Sequence, residues 1–275
     1  MEKFNITTNG FTTASAGSGT IKGKVISDSD QSDLSGVNVN FYGTTIDNTT
    51  SDTSGDYSSQ VDVGDYTISY SLEGYINETQ TAPLETDGQT LEVQTLRMLP
   101  KSCDSTGTIS GKITDAVSGA NITGVYLEAR KGINRPWRRV KATDTTDSSG
   151  GYSFSSMNRG WYTVQTSKSG YIDGQFYVRS CGDIGSQDSA VSEVLASSKS
   201  MRIVLSWQLT DPVTGNDLDS HIQFPGISGG MVHLMWDNDT GGSHQGGDYY
   251  VYGANDNVTL DRDETDAPGI ETITV

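Results

Sequence analysis

The sequence Gly19-Thr-Ile-Lys-Gly-Lys-Val25 returns as Gly107-Thr-Ile-Ser-Gly-Lys-Ile113, and this repeat decides how the chain is divided. Three further pairs of matching segments follow in the same order: Ser54–Tyr57 with Ser149–Tyr152, Gly64–Thr67 with Gly160–Thr163, and Gly74–Ile76 with Gly170–Ile172. The spacing between matching residues grows from 88 at the first pair to 96 at the last. The sequence therefore contains two copies of one unit. The second copy carries an insertion of about eight residues, around residues 130–142.

Each copy shows the alternation that is typical of a half-buried β-strand. Apolar residues occupy every second position, so that one face packs inward: Val37, Val39 and Phe41 in the first copy, and Val125, Leu127 and Ala129 in the second. The 32 glycines and the abundant Ser, Thr, Asn and Asp favour turns over helices. No stretch has helical periodicity over three turns, so the sequence predicts an all-β fold.

Taken together, the ordered motifs G-x-[IV]-x-G-x-[IV], S/D-G-x-Y, G-x-Y-x-[IV] and G-Y resemble the carboxypeptidase regulatory-like domain. The resemblance covers about residues 18–100 and 105–182. It implies tandem transthyretin-like (prealbumin-like) Greek-key β-sandwiches, each of seven strands. In that family the module is a non-catalytic accessory, grouped structurally with carbohydrate-binding-like folds. The resemblance therefore implies binding or spacing rather than catalysis.

The pattern changes at about residue 199, where Ile203, Leu205 and Trp207 alternate as one strand face. Together with the segments Asp217–His221 and Leu260–Asp266, this region resembles a β-domain found beside such modules in bacterial surface proteins. That pattern normally continues into another hairpin, so we expect an incomplete third β-sandwich. The predicted organisation is an N-terminal extension or linker at 1–17, sandwiches at 18–100 and 101–183, a linker at 184–198, and an acidic, C-terminally truncated β-domain at 199–275.

Cys103 and Cys181 are the two cysteines of the chain. They fall at the two edges of the predicted second sandwich, where the first and last strands can lie side by side. We therefore predict a disulfide, which would stabilise this module by roughly 4 kcal/mol on the chain-entropy estimate. Two free buried thiols are the alternative.

Two acidic clusters in the third domain predict a Ca²⁺ site, because carboxylate oxygens are the ligands that this ion prefers. The clusters are Asp217, Asp219 and His221 on one strand face, and Asp261, Asp263 and Asp266. Neither has the EF-hand spacing, so an acidic turn followed by a solvated strand edge is an alternative. Zinc bound by His221, His233 and His244 with Asp219 is another, although no H-x-x-x-H or H-E-x-x-H spacing supports it.

The insertion in the second copy gathers six of the chain's 18 basic residues around Trp137. An indole ring can stack on a sugar, while Arg135, Arg138 and Arg139 can pair with carboxylate or sulfate groups. Docking on an acidic neighbouring module is an alternative. A hairpin without a ligand, whose arginine stems cover the indole, is another.

Composition excludes several classes of function. A formal net charge of −17 disfavours nucleic acid and membrane surfaces as partners, and no apolar run is long enough to insert into a bilayer. No nucleophile elbow, phosphate loop or dinucleotide fingerprint is present, so we predict no enzymatic activity. The predicted disulfide places the protein outside the cell or at the cell surface. Without a signal peptide at Met1, we expect a fragment of a longer precursor.

Three functions fit these observations. The first is an array of binding, adhesion and spacing modules in a secreted or cell-surface protein, with a glycan or a neighbouring protein module as ligand and Ca²⁺ stiffening the third domain. The second is a stalk or filament subunit, in which residues 1–17 pair as a strand with another copy. The third is the accessory region of a larger secreted peptidase or glycoside hydrolase.

Overall fold

The structure, a computed structural model, describes residues 17–195, 201–207, 222–225, 231–234, 259–262 and 269–274. The chain divides into two compact units, residues 1–102 and residues 103–275. The described residues form strands and turns, which confirms the predicted all-β fold. In this part of the chain, no helix has the length and apolar character needed to cross a membrane.

The first unit is a sandwich of two sheets. Its strands are β1 (Ser18–Ser27), β2 (Asn38–Tyr42), β3 (Ile46–Thr50), β4 (Asp56–Asp62), β5 (Gly64–Ser71), β6 (Glu78–Leu84), β7 (Thr90–Glu92) and β8 (Leu96–Met98). One sheet has the order β4–β1–β7, with β8 also paired to β1, and the other has the order β3–β2–β5–β6. Strands β7 and β8 run parallel to β1, and the other described pairs of this unit are antiparallel.

The core of the first unit lies between its two sheets. Val39 and Phe41 on β2 are fully buried, as their alternation with asparagine predicts. The Phe41 ring lies 6.3 Å from the ring of Tyr57, which belongs to the opposite sheet. The hydroxyl groups of Tyr57 and Tyr70 are 2.6 Å apart and join the two sheets inside the core.

The second unit repeats this sandwich. Its strands are β9 (Thr106–Asp115), β10 (Tyr126–Lys131), β11 (Val140–Thr145), β12 (Gly151–Asn158), β13 (Gly160–Ser167), β14 (Gly174–Ser180) and β15 (Ser189–Val191). The sheets have the orders β12–β9–β15 and β11–β10–β13–β14, which correspond to the two sheets of the first unit. One cluster of buried side chains from both sheets forms the core, including Ile109, Leu127, Phe154 and Val164.

The extra residues of the second copy enter at two places. The spacing between matching residues is still 88 at Tyr42 and Arg130, and it is 95 at Ser51 and Thr146. Seven residues are therefore added in the hairpin between β10 and β11, as predicted.

The eighth extra residue lies in β12, outside the predicted range. Phe154 pairs with Ile109 and Met157 pairs with Gly107, so β12 has one more residue than its partner between these pairs. Ser156 in this gap has a φ of 57°. This is a β-bulge, which adds an unpaired residue without changing the sheet order.

The segment 184–198, predicted as a linker, contributes to the second sandwich. Strand β15 pairs parallel with β9, and Ile184 forms a bridge with Ile109. These pairings match those of β7 and β8 with β1 in the first copy. The sandwich therefore extends to Val191, and a strand of three residues is too short to show its alternation in the sequence.

The described part of the predicted third domain belongs to the second compact unit. Its strands are β16 (Arg202–Trp207), β17 (Ile222–Pro225), β18 (Met231–Leu234), β19 (Thr259–Arg262) and β20 (Gly269–Thr274). Strand β20 pairs with β16 and β19, and β17 pairs with β18. The Thr272 hydroxyl donates to the carbonyl of Ala116 at 2.6 Å, and Arg202 donates to the Ser192 hydroxyl at 2.9 Å. These bonds tie the region to the sandwich that precedes it.

The predicted disulfide is present. It joins Cys103, before β9, to Cys181, directly after β14, with the two Cα atoms 4.6 Å apart. Because the two residues are 78 positions apart in the sequence, the bond encloses most of the second sandwich.

Candidate binding face of the second unit

The sheet β11–β10–β13–β14 turns a polar outer face away from the core. Leu127 and Val164 point into the core, so the residues that follow them in β10 and β13 point outward. The strand register places Glu128, Gln165 and Gln175 in one row across three strands. A groove of about 430 Å³ lies over this row and is also lined by Tyr126 and Asp173. Its carboxylate, amide and phenol groups offer both donors and acceptors.

The connection between β10 and β11, residues 132–139, folds back over this face. Its anchor is Thr163 on β13, whose hydroxyl donates to the carbonyl of Gly132 at 2.8 Å. The same hydroxyl accepts from the backbone amide of Arg135 at 3.0 Å. The Gln175 side-chain amide donates to the side-chain oxygen of Asn134 at 3.2 Å. We call residues 132–139 the covering loop; through Gln175 it borders the groove.

The four predicted ligand residues of the covering loop lie in different environments. Trp137 is 65% exposed, and Arg138 and Arg139 are also exposed. Arg135 is only 3% exposed. Its burial lowers the pKa of its guanidinium group, and the positive charge of Arg138 lowers that pKa further. The arginine stems leave most of the indole uncovered, and whether this hairpin binds a ligand stays a prediction.

Arg130 on β10 is a cation of this face that the sequence did not identify as a ligand. Its Nε donates to the carbonyl of Arg138 at 2.8 Å, and its Nη2 donates to Glu128 Oε2 at 2.8 Å. Its Nη1 is buried without a hydrogen-bond partner among the described residues. The available signal was the strand alternation, which places Arg130 on the outer face two residues after Glu128.

Tertiary structure brings two further arginines to this end of the unit. Lys131 Nζ donates to the carbonyl of Arg159 at 2.5 Å and lies 4.8 Å from the ring centroid of Tyr162. The guanidinium of Arg179 lies 5.8 Å from the ring of Trp161. Eight of the chain's 18 basic residues are therefore gathered here, in a protein whose formal net charge is −17.

The predicted metal ligands fall mainly outside the described residues: Asp217, Asp219, His221, His244, Asp263 and Asp266. Asp261 lies in β19, and His233 lies in β18. Where the structure is described, no three His, Cys, Asp or Glu side chains are grouped to hold a metal ion. The calcium and zinc sites stay predictions.

Two family matches cover the repeats. Residues 108–179 match the carboxypeptidase regulatory-like domain, and residues 21–102 match the CarboxypepD_reg-like domain. Both repeats belong to the carboxypeptidase regulatory-like family. The resemblance inferred from the motifs is thus confirmed, and regulatory-like domains are non-catalytic modules.

Several solved structures have a low similarity to this chain. The streptococcal ancillary pilin is 13% identical with a TM-score of 0.27, and the match covers 64% of this chain and 62% of the pilin. The Bacillus anthracis TIE protein is 14% identical with a TM-score of 0.27, covering 81% of this chain and 42% of that protein. A minor pilin of Streptococcus agalactiae is 15% identical with a TM-score of 0.26, covering 66% of this chain and 98% of the pilin.

The chain thus spans less than two thirds of the length of the first two proteins. At these TM-scores we base no functional conclusion on the three structures. The comparison with curated proteins found no match.

Proposed function

We propose that this chain is a non-catalytic part of an extracellular or cell-surface protein, in which tandem β-sandwiches space and present a face that binds a glycan. The observation that carries the proposal is the exposed indole of Trp137 on a loop that borders a polar groove. Large exposed aromatic rings next to hydrogen-bonding grooves are suited to ligands with alternating apolar and hydroxyl surfaces.

The groove supplies the polar half of such a site. Glu128, Gln165 and Gln175 lie in one row, so that a carboxylate and two amides can bond to successive hydroxyl groups. The side chains stand on paired strands rather than on a flexible segment, and a rigid platform lowers the entropy that binding costs.

The position outside the cell is supported by the disulfide, because such bonds persist in oxidising compartments. The spacing role is supported by the family of the two repeats, whose domains are non-catalytic modules.

A glycan array followed by calorimetry on the full chain tests the binding face. We expect Trp137→Ala to weaken binding of the best glycan about tenfold or more, since losing a central aromatic contact costs about 1.4 kcal/mol or more. Tyr42→Ala is the matched control, because Tyr42 is 50% exposed and belongs to the first unit, whereas the groove lies on the second.

Equal affinity of Trp137→Ala and the unaltered chain would remove the indole from the site. A different result would favour the stalk or filament function. In that case no glycan binds, the chain assembles as its concentration rises, and deletion of residues 1–17 abolishes this assembly.

A further inference from the structure

Two buried guanidinium groups at the covering loop, those of Arg130 and Arg135, each have an N–H group without an acceptor among the described residues. Arg135 is 3% exposed, and its Nε is buried without a partner among the described residues. Arg130 is 9% exposed, and its Nη1 is also buried without a hydrogen-bond partner among the described residues. Among the described residues, Arg130 forms an ion pair with Glu128, and Arg135 forms none.

This arrangement leaves an excess of buried positive charge. The carboxylate of Glu128 is paired with Arg130, no carboxylate among the described residues is paired with Arg135, and the exposed Arg138 adds a third cation near Arg135. A buried charge without a counter-ion is costly, and each N–H left unpaired adds to that cost. An anion with several acceptor oxygens would offset both.

We infer that the covering loop encloses a subsite for the carboxylate or sulfate group of an acidic sugar, held by Arg130 and Arg135. The inference rests on the proposed function and names the chemical class of its ligand. The planar fork of a guanidinium matches carboxylate and sulfate oxygens in pairs, which an ammonium group does not.

The surroundings favour an acidic sugar over an acidic protein module. Trp137 offers an open aromatic surface on the same loop, and Asn134 links the loop to Gln175 at the edge of the groove. A sugar carrying one anionic group can therefore place its ring in contact with the indole and groove while the anion enters beneath the loop.

Entry of the anion requires the loop to lift, since the unpaired donors are enclosed. Opening the loop releases the bonds of Thr163 to Gly132 and Arg135. It also releases the bonds of Arg130 to the Arg138 carbonyl and of Gln175 to Asn134. Gly132 lies where the loop leaves β10. Its φ is 101°, a value that glycine adopts readily and other residues rarely do. Trp137 moves with the loop, so its fluorescence reports the opening.

The test is a calorimetric titration of the full chain with a heparin-derived hexasaccharide and with the same hexasaccharide after chemical desulfation, N-acetylation and reduction of its carboxylates, which removes its anionic groups. We expect the sulfated sugar to bind at least tenfold more tightly. Arg135→Met should reduce that preference to within about twofold and leave the affinity for the desulfated sugar unchanged. Arg139→Met removes the same charge from the exposed part of the loop and should reduce the preference by less than threefold.

Equal losses in Arg135→Met and Arg139→Met would show a diffuse basic surface and overturn the subsite. So would equal affinity of the unaltered chain for the two sugars, in which case the proposed glycan function survives alone. If neither sugar binds, the glycan array decides the proposed function. Inorganic sulfate at constant ionic strength then decides the subsite: it survives only if sulfate changes the fluorescence of the unaltered chain and not of Arg135→Met.

The ligand-free stability of the second unit gives an independent readout. Because Arg135 is an unpaired buried cation, Arg135→Met should leave the melting temperature unchanged or raise it. A lower melting temperature in Arg135→Met would mean that the guanidinium is already satisfied inside the unit, which contradicts an anion subsite.

Discussion

At the scale of single residues, the two copies share a polar framework as well as an apolar core. Ser51 and Thr146 occupy matching positions, and each hydroxyl donates to a carbonyl at 2.6 Å and accepts from an amide, at 3.0 Å and 2.9 Å. Tyr66 and Tyr162 also match, and each hydroxyl donates to the carbonyl four residues earlier, at 2.8 Å and 2.6 Å. These bonds pair polar groups at the sandwich edges that burial would otherwise leave unsatisfied.

The buried tyrosines differ between the copies in their hydrogen-bond partners. Tyr57 bonds to Tyr70, whereas the matching Tyr152 donates to the carbonyl of Gln187 at 2.5 Å. Burial raises the pKa of Tyr57, Tyr70 and Tyr152 above the ordinary tyrosine range. All three hydroxyls therefore act as neutral structural groups.

Gly150 and Gly170 provide a residue-scale prediction, since both have a positive φ, of 73° and 88°. A Cβ at Gly150 would lie 2.7 Å from the carbonyl oxygen of Ile113, whereas a Cβ at Gly170 meets no atom within 4 Å. We expect Gly170→Ala to cost about 1 kcal/mol from backbone strain alone. Gly150→Ala should cost roughly 2–4 kcal/mol, because strain and a backbone clash add. Urea unfolding measures both, and equal costs would contradict the clash.

At the scale of elements, the turn between β11 and β12 is held by the carboxylate of Asp147. Asp147 Oδ1 accepts from the Ser149 hydroxyl at 2.7 Å and from the amides of Ser149 and Gly151 at 2.8 Å and 2.9 Å. The Ser149 hydroxyl, followed by these two amides, lowers the pKa of Asp147 below its usual value of 3.8. The ionised carboxylate is thus the form that stabilises the hairpin.

The pH dependence of this hairpin follows from the direction of that shift. A carboxyl group whose pKa is lower in the folded state stabilises the fold above its unfolded pKa, and this contribution is lost as the pH falls through the folded value. We expect Asp147→Asn to lower the melting temperature of the second unit at pH 7, with the difference from the unaltered chain shrinking as the pH falls below 3.8 and the carboxyl group of the unaltered chain becomes protonated. Asp65→Asn, at an exposed position of the first unit, should change neither the melting temperature of the second unit nor its pH dependence. A difference that stays constant as the pH falls would assign the effect to something other than the charge.

The covering loop shows how one insertion changes an element without changing the sheet. The first copy joins β2 to β3 through three residues, whereas the second joins β10 to β11 through eight. The additional residues pack on the outer face through Thr163, so the strand register of the sandwich is conserved. Variation confined to a hairpin is how a shared scaffold acquires a new surface.

At the scale of the whole molecule, the disulfide belongs to one compact unit. It links Cys103 and Cys181 across 78 positions, and both lie within residues 103–275. Replacing both cysteines by serine should destabilise the second unit by roughly 4 kcal/mol, because the unfolded chain regains the entropy of a long loop. Calorimetry of the full chain should show this loss in the transition of residues 103–275, and the transition of residues 1–102 should stay unchanged. An equal fall in both transitions would mean that the two units unfold together.

The sequence by itself determined the repeat, the all-β class, the family and the cysteine pair. These follow from local signals: alternation at period two, glycines at turns, and motifs repeated in order. Only the tertiary structure decided that Arg130 and Arg135 are buried, that Arg159 and Arg179 join the basic residues of the insertion, and that Ser189–Val191 completes a sheet. The physical reason is that burial depends on contacts between distant residues, such as Arg135 with Thr163, which no local periodicity records.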